Sequence, residues 1–265
     1  MEMENGMNIL LTNDDGIDGE GLLALADALS RVEGISVFVM APDSNRSAVS
    51  SLLTMTKPMK FVRRRENWFS CSGSPVDCVI AGLRSSLFDG VKFDAVVSGI
   101  NKGANLGTDV VYSGTCAAAR QATLYGIPGI ALSVESYDGN WDFSGMARFC
   151  AENVSRLVSL CTVELFVSVN GRSSDKYSGA VFSSLSVRDY KDQFRILADP
   201  AGKNPDLFYG FFVGSEISTA ARSGASRDSA DFFVTKEPAD DGSFRVSVTR
   251  IFAEPSAADD SSLGF

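Results

Sequence analysis

Apolar runs alternate with helix-spaced segments along the first two-thirds of the chain. Short runs rich in β-branched residues occupy Asn8–Thr12, Ile35–Met40, Phe93–Ser98, Gly129–Val134 and Val163–Val169. The segments between them have helical spacing and are Gly21–Arg31, Pro75–Leu87, Thr115–Tyr125 and Ser144–Leu160. The runs are continuous rather than alternating, which is typical of strands buried on both faces. The chain order therefore predicts an α/β fold, with a mostly parallel sheet between two layers of helices.

The pattern changes after about residue 170. Helical spacing mostly stops, and β-like segments separated by Gly, Pro, Asp and Ser follow at Phe182–Tyr190, Phe194–Ala198, Leu207–Val213, Phe232–Thr235 and Phe244–Phe252. We interpret residues 171 to about 255 as a β-rich extension on a core of residues 7–170. At 265 residues the chain is expected to be a single domain with this appendage. The first six residues and the end of the chain, from residue 254 onward, are expected to be solvated, flexible tails.

Composition narrows the class of protein. Hydrophobic residues make up 45% and charged residues 22%, as in ordinary globular proteins with a sizeable core. The formal net charge of −9 argues against wrapping of nucleic acid, which needs a basic face. We expect no signal peptide and no membrane span, because no apolar run is long enough. The five cysteines are scattered and lack metal-binding spacing, which favours a reducing, cytoplasmic location.

The chain contains no histidine. This excludes histidine-based zinc sites, Ser-His-Asp and Cys-His nucleophile systems, and phosphohistidine chemistry. Any catalysis must use carboxylates, hydroxyls, amides, Lys or Arg, or a hard metal ion.

Three polar loops directly follow predicted strands. The strands run into Thr12–Gly16 ("TNDDG"), Ala41–Ser50 ("APDSNRSAVS") and Ser98–Ala119 ("SGINKGANLGTDVVYSGTCAAA"). In an open parallel sheet, ligands bind outside the carboxyl ends of the strands. We therefore expect polar residues from all three loops to meet in one crevice.

The first loop carries two adjacent carboxylates, Asp14 and Asp15. In a crevice, their repulsion and the loss of water raise the pKa of at least one of them unless a cation neutralises them. Mg²⁺ and Mn²⁺ prefer such oxygen ligands, and Ca²⁺ accepts the same set. The alternative is a solvated turn in which Gly16 supplies a positive φ angle. The position directly after a buried strand favours the metal site.

The second and third loops add neutral donors. Asn45 offers an amide, and Ser47 could either complete the metal shell or cap the next helix. Arg46 could meet a phosphate or form an exposed salt bridge. Asn101 is a neutral oxygen donor, and Asn105 lies in the same glycine-spaced stretch, where the backbone can approach a ligand closely.

Tyr112–Thr115 ("YSGT") opens an alanine-rich helical segment. Free amides at a helix N-terminus, next to the hydroxyls of Ser113 and Thr115, suit a phosphate group. These hydroxyls could instead only cap the helix, and the two roles are compatible. The sequence has no Walker A loop and no convincing G-x-G-x-x-G after a strand.

Together these groups suit the cleavage of a phosphomonoester. The candidate metal ligands are Asp14, Asp15, Ser47 and Asn101. A metal would polarise a phosphoryl oxygen and lower the pKa of bound water, while amides and hydroxyls hold the other oxygens. With histidine absent, Asp14 or Asp15 is the candidate proton carrier, and a covalent aspartyl phosphate stays open as an alternative.

Five stretches resemble, in the same order, the SurE family of metal-dependent 5′/3′-nucleotidases and acid phosphatases. They cover roughly residues 7–135 and are "ILLTNDDGIDGEGL", "APDSNRSAVS", "GSPVDCV", "VVSGINKGANLGTDVVYSGTCAAAR" and "GIPGIALS". The resemblance implies a hydrolase that converts nucleoside 5′(3′)-monophosphates to nucleoside and phosphate, with one divalent metal ion, Mg²⁺ or Mn²⁺, per subunit. It also implies a Rossmann-like core and a β-hairpin extension that assembles a homodimer or homotetramer.

The resemblance assigns the metal to the same four residues that the loops suggested, Asp14, Asp15, Ser47 and Asn101. The candidate phosphate and substrate contacts, from the resemblance and the loops together, are Asn45, Asn101, Asn105, Ser113, Gly114 and Thr115.

The chain departs from the family pattern in its last third. Of the family's motif after the strand near residue 165, only Asn170 is matched, and the late element keeps Asp231 and Val246–Thr249 but diverges at its end. These departures affect base recognition and oligomeric state more than the metal site.

Two alternatives come from other classes. One is a non-catalytic nucleotide- or anion-binding protein that retains the metal site. The other is a phosphatase with an aspartyl nucleophile of the haloacid dehalogenase type, which needs Asp-x-Asp after the first strand, whereas Asp14 and Asp15 are adjacent.

Overall fold

A nine-stranded sheet runs through the computed structural model, which describes residues 6–255 and, at residues 214–216, the backbone alone. The strands are β1 Met7–Thr12, β2 Ile35–Pro42, β3 Phe61–Arg65, β4 Trp68–Cys71, β5 Ala95–Lys102, β6 Gly129–Glu135, β7 Leu165–Arg172, β8 Ala180–Phe182, β9 Val187–Ala198, β10 Phe208–Ala220 and β11 Val246–Phe252. The helices are α1 Glu20–Ser30, α2 Pro75–Arg84, α3 Gly114–Leu124, α4 Ser144–Leu160 and α5 Asp231–Lys236. This confirms the predicted α/β fold.

The order of strands in the main sheet is β3-β4-β2-β1-β5-β6-β7-β11-β8. Pairing is parallel from β4 to β7, while β3 and β11 run antiparallel to their neighbours β4 and β7. Leu11 of β1 lies opposite Val39 of β2 and Val97 of β5. The carboxyl ends of these three strands therefore meet at one edge of the sheet, as the positions of the three polar loops require.

Successive residues of β1 face opposite layers of helices. Ile9 and Leu11 belong to the cluster with the buried faces of α1 and α4, and Leu10 belongs to the cluster with α2 and α3. All three are fully buried. A strand covered on both sides has no polar face, which explains why its sequence is continuously apolar.

Local sequence signals determine where helix α2 begins. Ser74 caps its N-terminus by accepting a hydrogen bond from the Asp77 amide, and the Asp77 carboxylate accepts the Ser74 amide in return. Pro75 follows at the first helical position, where its missing N–H costs nothing. The "GSPVD" stretch is therefore a capping box with proline.

The last third differs from its prediction in three respects. The predicted β segments Phe182–Tyr190 and Phe194–Ala198 are instead the end of β8, a short connection and the single strand β9. Only β9 and β10 form a separate two-stranded hairpin, whereas β8 and β11 pair into the main sheet. The prediction that Phe232–Thr235 is a strand is wrong, because these residues belong to α5. A short apolar run fits either a helix or a strand. Here Phe233 and Val234 are buried on a helical turn, and the Thr235 hydroxyl donates a hydrogen bond to the Asp231 carbonyl within that turn.

Two strands at the sheet edge, β3 and β4, were not predicted, because three arginines interrupt the apolar pattern at residues 63–65. Most of the predicted tails, residues 1–5 and 256–265, lies outside the described residues. Between residues 6 and 255, no helix combines the length and apolarity needed to cross a bilayer.

Candidate active site

A cavity of about 370 Å³ opens where the loops after β1, β2 and β5 converge. Its lining includes five residues of the predicted set, which are Asp14, Ser47, Asn101, Asn105 and Ser113. They come from sequence positions up to about a hundred residues apart. The structure therefore brings the three polar loops together, as the strand order predicts.

The turn after β1 is fixed by Asn13. Its side chain donates to the Gly16 carbonyl at 2.9 Å and accepts from the Gly16 amide at 3.1 Å. Gly16 has a φ angle of +107°, which favours glycine. Because Asn13 closes the turn, neither aspartate is needed for it, and both carboxylates are directed to other partners.

Asp14 is held by the first turn of α3. Its Oδ1 accepts the Thr115 hydroxyl at 2.6 Å, and its Oδ2 accepts the Thr115 amide at 3.2 Å. The residue is only 3% exposed, so it is not part of a solvated turn. The loop after β1 and the start of α3 are thus joined into one unit.

The electrostatics of Asp14 are those of a buried anion. Its pKa is raised from 3.8 to about 6, chiefly by burial; the Thr115 hydrogen bonds oppose this rise, and the neighbouring charge of Asp15 contributes to it. Burial also raises the pKa of Asp15, opposed by the Lys102 amide, which donates to Asp15 Oδ2 at 3.1 Å. Two desolvated carboxylates side by side favour a bound cation.

The loop after β2 lies against both aspartates. The Arg46 amide donates to the Asp14 carbonyl at 2.6 Å, and the Asn45 side-chain amide approaches Asp15 Oδ1 at 3.4 Å. Asn45 Oδ1 accepts the Ser47 amide at 2.9 Å, which presents Ser47 at the cavity. Arg46 itself bonds to Asp43 and to the Ser72 carbonyl, both at 3.1 Å, so its guanidinium holds the loop.

Asparagines shape the loop after β5. Asn101 donates a hydrogen bond from its side-chain amide to the Gly103 carbonyl at 2.7 Å, so its Oδ1 can serve as an acceptor for a ligand. Asn105 donates to Ser133 Oγ at 2.8 Å, and its backbone exchanges hydrogen bonds with the side chain of Asn170 at 2.8 and 3.2 Å. Asn170, matched in the sequence without a role, thus fixes the position of Asn105.

The N-terminus of α3 is capped by Ser113, whose hydroxyl accepts the Cys116 amide at 3.0 Å. Ser113 also lines the cavity, so the capping and ligand-binding interpretations of this serine are compatible here. Thr115 is fully buried and directs both its hydroxyl and its amide to Asp14. Four residues of the predicted set are not among the residues that line the cavity in the described part of the chain; they are Asp15, Asn45, Gly114 and Thr115.

The donor set fits a hard divalent cation. Within residues 6–255, no three His, Cys, Asp or Glu side chains gather as metal ligands. The predicted set instead combines the two carboxylates of Asp14 and Asp15 with the hydroxyl of Ser47 and the amide oxygen of Asn101. Oxygen-only sets of this kind suit Mg²⁺, Mn²⁺ or Ca²⁺.

Sequence reasoning missed several residues of the cavity, chiefly Asp109, Tyr112, Glu135, Arg188 and Tyr190. Tyr112 is the first residue of the "YSGT" segment and Asp109 lies just before it, so both could have been found from that proximity. Arg188 and Tyr190 lie on β9, far along the chain, and no local signal connects them with the site.

Asp231 was also missed as a positioning residue. It is fully buried, and it accepts the backbone amides of Gly107, Ser186 and Phe232, each at 2.8 Å. Gly107 begins the 3-10 helix Gly107–Val111, which leads into the start of α3. Asp231 therefore ties the last third of the chain to the loop that carries the cavity residues.

Comparison with known proteins gives consistent matches. The family described as "Survival protein SurE" matches residues 9–192. The 5′-nucleotidase SurE of Treponema pallidum (strain Nichols) is 46% identical over 187 residues, which cover 69% of this chain and 100% of that protein. The 5′-nucleotidase SurE of Geotalea uraniireducens (strain Rf4) is 37% identical over 229 residues, which cover 82% of this chain and 89% of that protein.

A solved structure agrees with these matches over nearly the whole fold. The crystal structure of the SurE protein from Aquifex aeolicus superposes with a TM-score of 0.73 at 30% identity and covers 94% of each chain.

Proposed function

This chain belongs to the SurE family, and we propose that it is a metal-dependent phosphomonoesterase that hydrolyses nucleoside monophosphates to nucleoside and phosphate. The relatives named above are 5′-nucleotidases. One observation of this structure carries the proposal. Asp14, Ser47 and Asn101 line a single cavity although they come from three separate loops of the chain.

In the proposed site, four residues hold one divalent cation, Mg²⁺ or Mn²⁺: Asp14, Asp15, Ser47 and Asn101. The cation supplies positive charge that offsets the carboxylates and the phosphoryl oxygens. Ser113 and Asn105 contribute a hydroxyl and an amide to the phosphate side of the cavity. Thr115 acts indirectly in this site, because it fixes the position of the Asp14 carboxylate.

Of the two candidate proton carriers, Asp14 and Asp15, only Asp14 is among the described residues that line the cavity, so we assign proton transfer between water and the leaving alcohol to it. Asp15 is held by the Lys102 amide at 3.1 Å and supports the cation. Cleavage of the P–O bond by water places one phosphoryl oxygen from water on the phosphate and one proton on the nucleoside oxygen. The helix N-terminus beside Ser113 stabilises the negative charge that develops on the phosphoryl oxygens.

Release of phosphate tests this function. Wild-type protein treated with EDTA is assayed with AMP, GMP and an aryl phosphate, before and after Mg²⁺ or Mn²⁺ is added. Metal-dependent release is expected, and Asp14→Asn should reduce kcat by at least about 100-fold, the range of a lost general acid–base group. Asp18→Asn is the matched control, because Asp18 is exposed in the same loop and bonds only Arg64 at 3.2 and 3.3 Å in the described structure.

Two outcomes would contradict the proposal. Full metal-dependent turnover in Asp14→Asn would remove Asp14 from the site. Thermal stabilisation of wild type by nucleotide and metal, with no phosphate released from any substrate, would instead show the non-catalytic binding protein.

We further propose that the hairpin of β9 and β10 assembles the chain into a homodimer or homotetramer. Its exposed aromatic residues include Phe194 at 57%, Phe208 at 60% and Phe212 at 70% exposure. Apolar patches of this kind mark interaction surfaces. Light scattering should find an oligomer that Phe212→Asp dissociates, and a monomeric wild type at micromolar concentration would contradict the idea.

The five cysteines are all free thiols, which supports a reducing compartment such as the cytoplasm as the proposed location.

A further inference from the structure

A second group of polar side chains lines the cavity, and the reaction described above does not use it. Asp109 accepts hydrogen bonds from the Arg188 guanidinium through one carboxylate oxygen and from the Tyr190 hydroxyl through the other. The side chains of Arg188 and Asp109 are only 13% and 12% exposed. We call these three residues the hairpin wall, because Arg188 and Tyr190 both come from β9.

The hairpin wall is held in place without a ligand. The Arg188 amide donates to Thr108 Oγ1 at 3.1 Å, and the Arg188 guanidinium lies over the rings of Tyr190 and Phe232 at 5.5 and 5.7 Å. Next to it, Gly107 has a φ angle of +54°, and a Cβ there would meet the Ser186 carbonyl oxygen at 2.4 Å. A close backbone contact that only glycine permits therefore joins the base of the hairpin to the cavity loop.

The charge of the hairpin wall favours an uncharged ligand. The Arg188 guanidinium and the Asp109 carboxylate neutralise each other, and Glu135 adds a further negative charge to the cavity lining. Lys102 also lines the cavity, but its ammonium lies over the Trp141 ring at 5.3 Å, and Arg188 is already paired with Asp109. A second phosphate group at this wall would therefore face the carboxylates of Asp109 and Glu135. An uncharged polar group such as a sugar or a base meets no such repulsion.

Arg188 retains capacity to donate a hydrogen bond. Its Nε–H is buried and has no hydrogen-bond partner among the described residues. Buried donors without partners are rare in folded proteins and call for an explanation. This nitrogen is shielded from solvent, so a ligand acceptor at the hairpin wall would reach it once neighbouring side chains shift on binding.

The size of the cavity leads to the same conclusion. A cavity of about 370 Å³ lies within the range of small-molecule sites, and a lone phosphate would fill only a fraction of it. The ring of Tyr112 also lines it and is 59% exposed, which makes it available to stack on a planar group.

We propose that Arg188 and Tyr190 bind the nucleoside part of the substrate and select nucleoside monophosphates over small phosphate esters. This inference rests on the proposed function, since it places the phosphate near Ser113 and the nucleoside toward the hairpin wall. Arg188 donates to acceptors of the sugar or base, and Tyr112 stacks on the base.

The test uses Arg188→Lys, which keeps a positive charge beside Asp109 but removes the Nε donor and the planar guanidinium. The matched control is Arg195→Lys, on the same strand but exposed and outside the cavity lining. A second pair is Tyr190→Phe against Tyr209→Phe, where Tyr209 is exposed on β10. Each variant is assayed with AMP, GMP and an aryl phosphate, and selectivity is the ratio of kcat/KM for nucleotide to kcat/KM for the aryl ester.

Arg188→Lys should lower this selectivity about tenfold or more, the usual effect of losing a hydrogen bond from a charged donor. Most of the change should be in the KM for nucleotide. Arg195→Lys should keep the wild-type ratio. Equal loss of both activities in Arg188→Lys would mean a merely structural role and overturn the proposal, as would a ratio within about twofold of wild type.

A binding measurement separates this proposal from the proposed function. Calorimetric titration with free adenosine and guanosine in EDTA requires neither turnover nor metal. Arg188→Lys should raise the nucleoside dissociation constant about tenfold, while Arg195→Lys leaves it unchanged. If wild type binds no nucleoside, the inference fails even when phosphate is released; if it binds nucleoside but releases no phosphate, only the proposed function fails.

Discussion

Burial of Asp14 predicts that this carboxylate destabilises the metal-free protein at neutral pH. Its folded pKa of about 6 lies above the ordinary value of 3.8, so the folded state binds this proton more tightly than the unfolded state does. The destabilisation is therefore absent below about pH 4, grows between about pH 4 and 6, and is complete above about pH 6.

The size of the effect follows from the shift. A difference of about 2 pKa units corresponds to about 3 kcal/mol at neutral pH, because each unit is worth about 1.4 kcal/mol. Asp14→Asn removes the charge and keeps an acceptor for the Thr115 hydroxyl. It also turns an amide group toward the Thr115 backbone N–H, which loses a hydrogen bond worth about 1 kcal/mol. The net expectation is a stabilisation of about 1–2 kcal/mol, or a rise in Tm of roughly 5 °C for a chain of this size.

Thermal and urea unfolding in EDTA measure this difference directly. Wild type and Asp14→Asn should differ above about pH 7 and converge near about pH 4, where the wild-type carboxyl is protonated in both states. The exposed Asp18→Asn variant should match wild type throughout. Saturating Mg²⁺ or Mn²⁺ should stabilise wild type, by about 2.7 kcal/mol at 100 times the dissociation constant, and should stabilise Asp14→Asn much less.

One result would refute this reasoning. If Asp14→Asn is less stable than wild type in EDTA at neutral pH, the hydrogen bonds from Thr115 outweigh the loss of water around the carboxylate.

Three further predictions concern the contacts around the site. Thr115→Val removes the hydroxyl that donates to Asp14 at 2.6 Å. It should weaken metal binding about tenfold in a thermal-shift titration, because the Asp14 carboxylate loses a contact that positions it. Unchanged affinity would show that the backbone amide of Thr115 is sufficient. Gly107→Ala should lower the free energy of unfolding in urea by about 1–3 kcal/mol, because the φ angle is +54° and the new Cβ would clash with the Ser186 carbonyl oxygen. An unchanged free energy of unfolding would mean that the loop relaxes freely. Asp231→Asn should destabilise the fold by about 2 kcal/mol, because buried backbone amides lose a carboxylate acceptor, and wild-type stability would contradict this role.

The strands of the α/β core show what the pattern of hydrophobic residues can predict and what it cannot. β1, β2, β5, β6 and β7 were found within a few residues of their bounds because each is buried on both faces. β3 was missed because it is an edge strand whose arginines point outward, with Arg63 over the ring of Phe69 at 5.2 Å. Arg63 and Arg65 place their guanidinium groups over the rings of Phe69 and Trp68 on β4, and a pattern of apolar residues does not register such contacts.

The residues of the candidate site also fall into those that the sequence predicts and those that it does not. Asp14, Ser47, Asn101 and Ser113 follow directly from strand order, since loops at the carboxyl ends of neighbouring parallel strands must meet. Asp231 contacts Gly107 across 124 positions of sequence, and Arg188 contacts Asp109 across 79. Contacts of that span depend on how the last third folds back on the core, and local sequence carries no signal for them.

The hydrogen bonds between Asp14 and Thr115 have a consequence for ligand binding as a whole. The same carboxylate faces the proposed cation and holds the helix turn at the proposed phosphate position, so occupancy of one position changes the free energy of the other. Such coupling is reciprocal by thermodynamic necessity. Whatever factor a bound cation contributes to the affinity for phosphate, bound phosphate contributes to the affinity for the cation, so the two dissociation constants of the proposed site would report one coupling free energy.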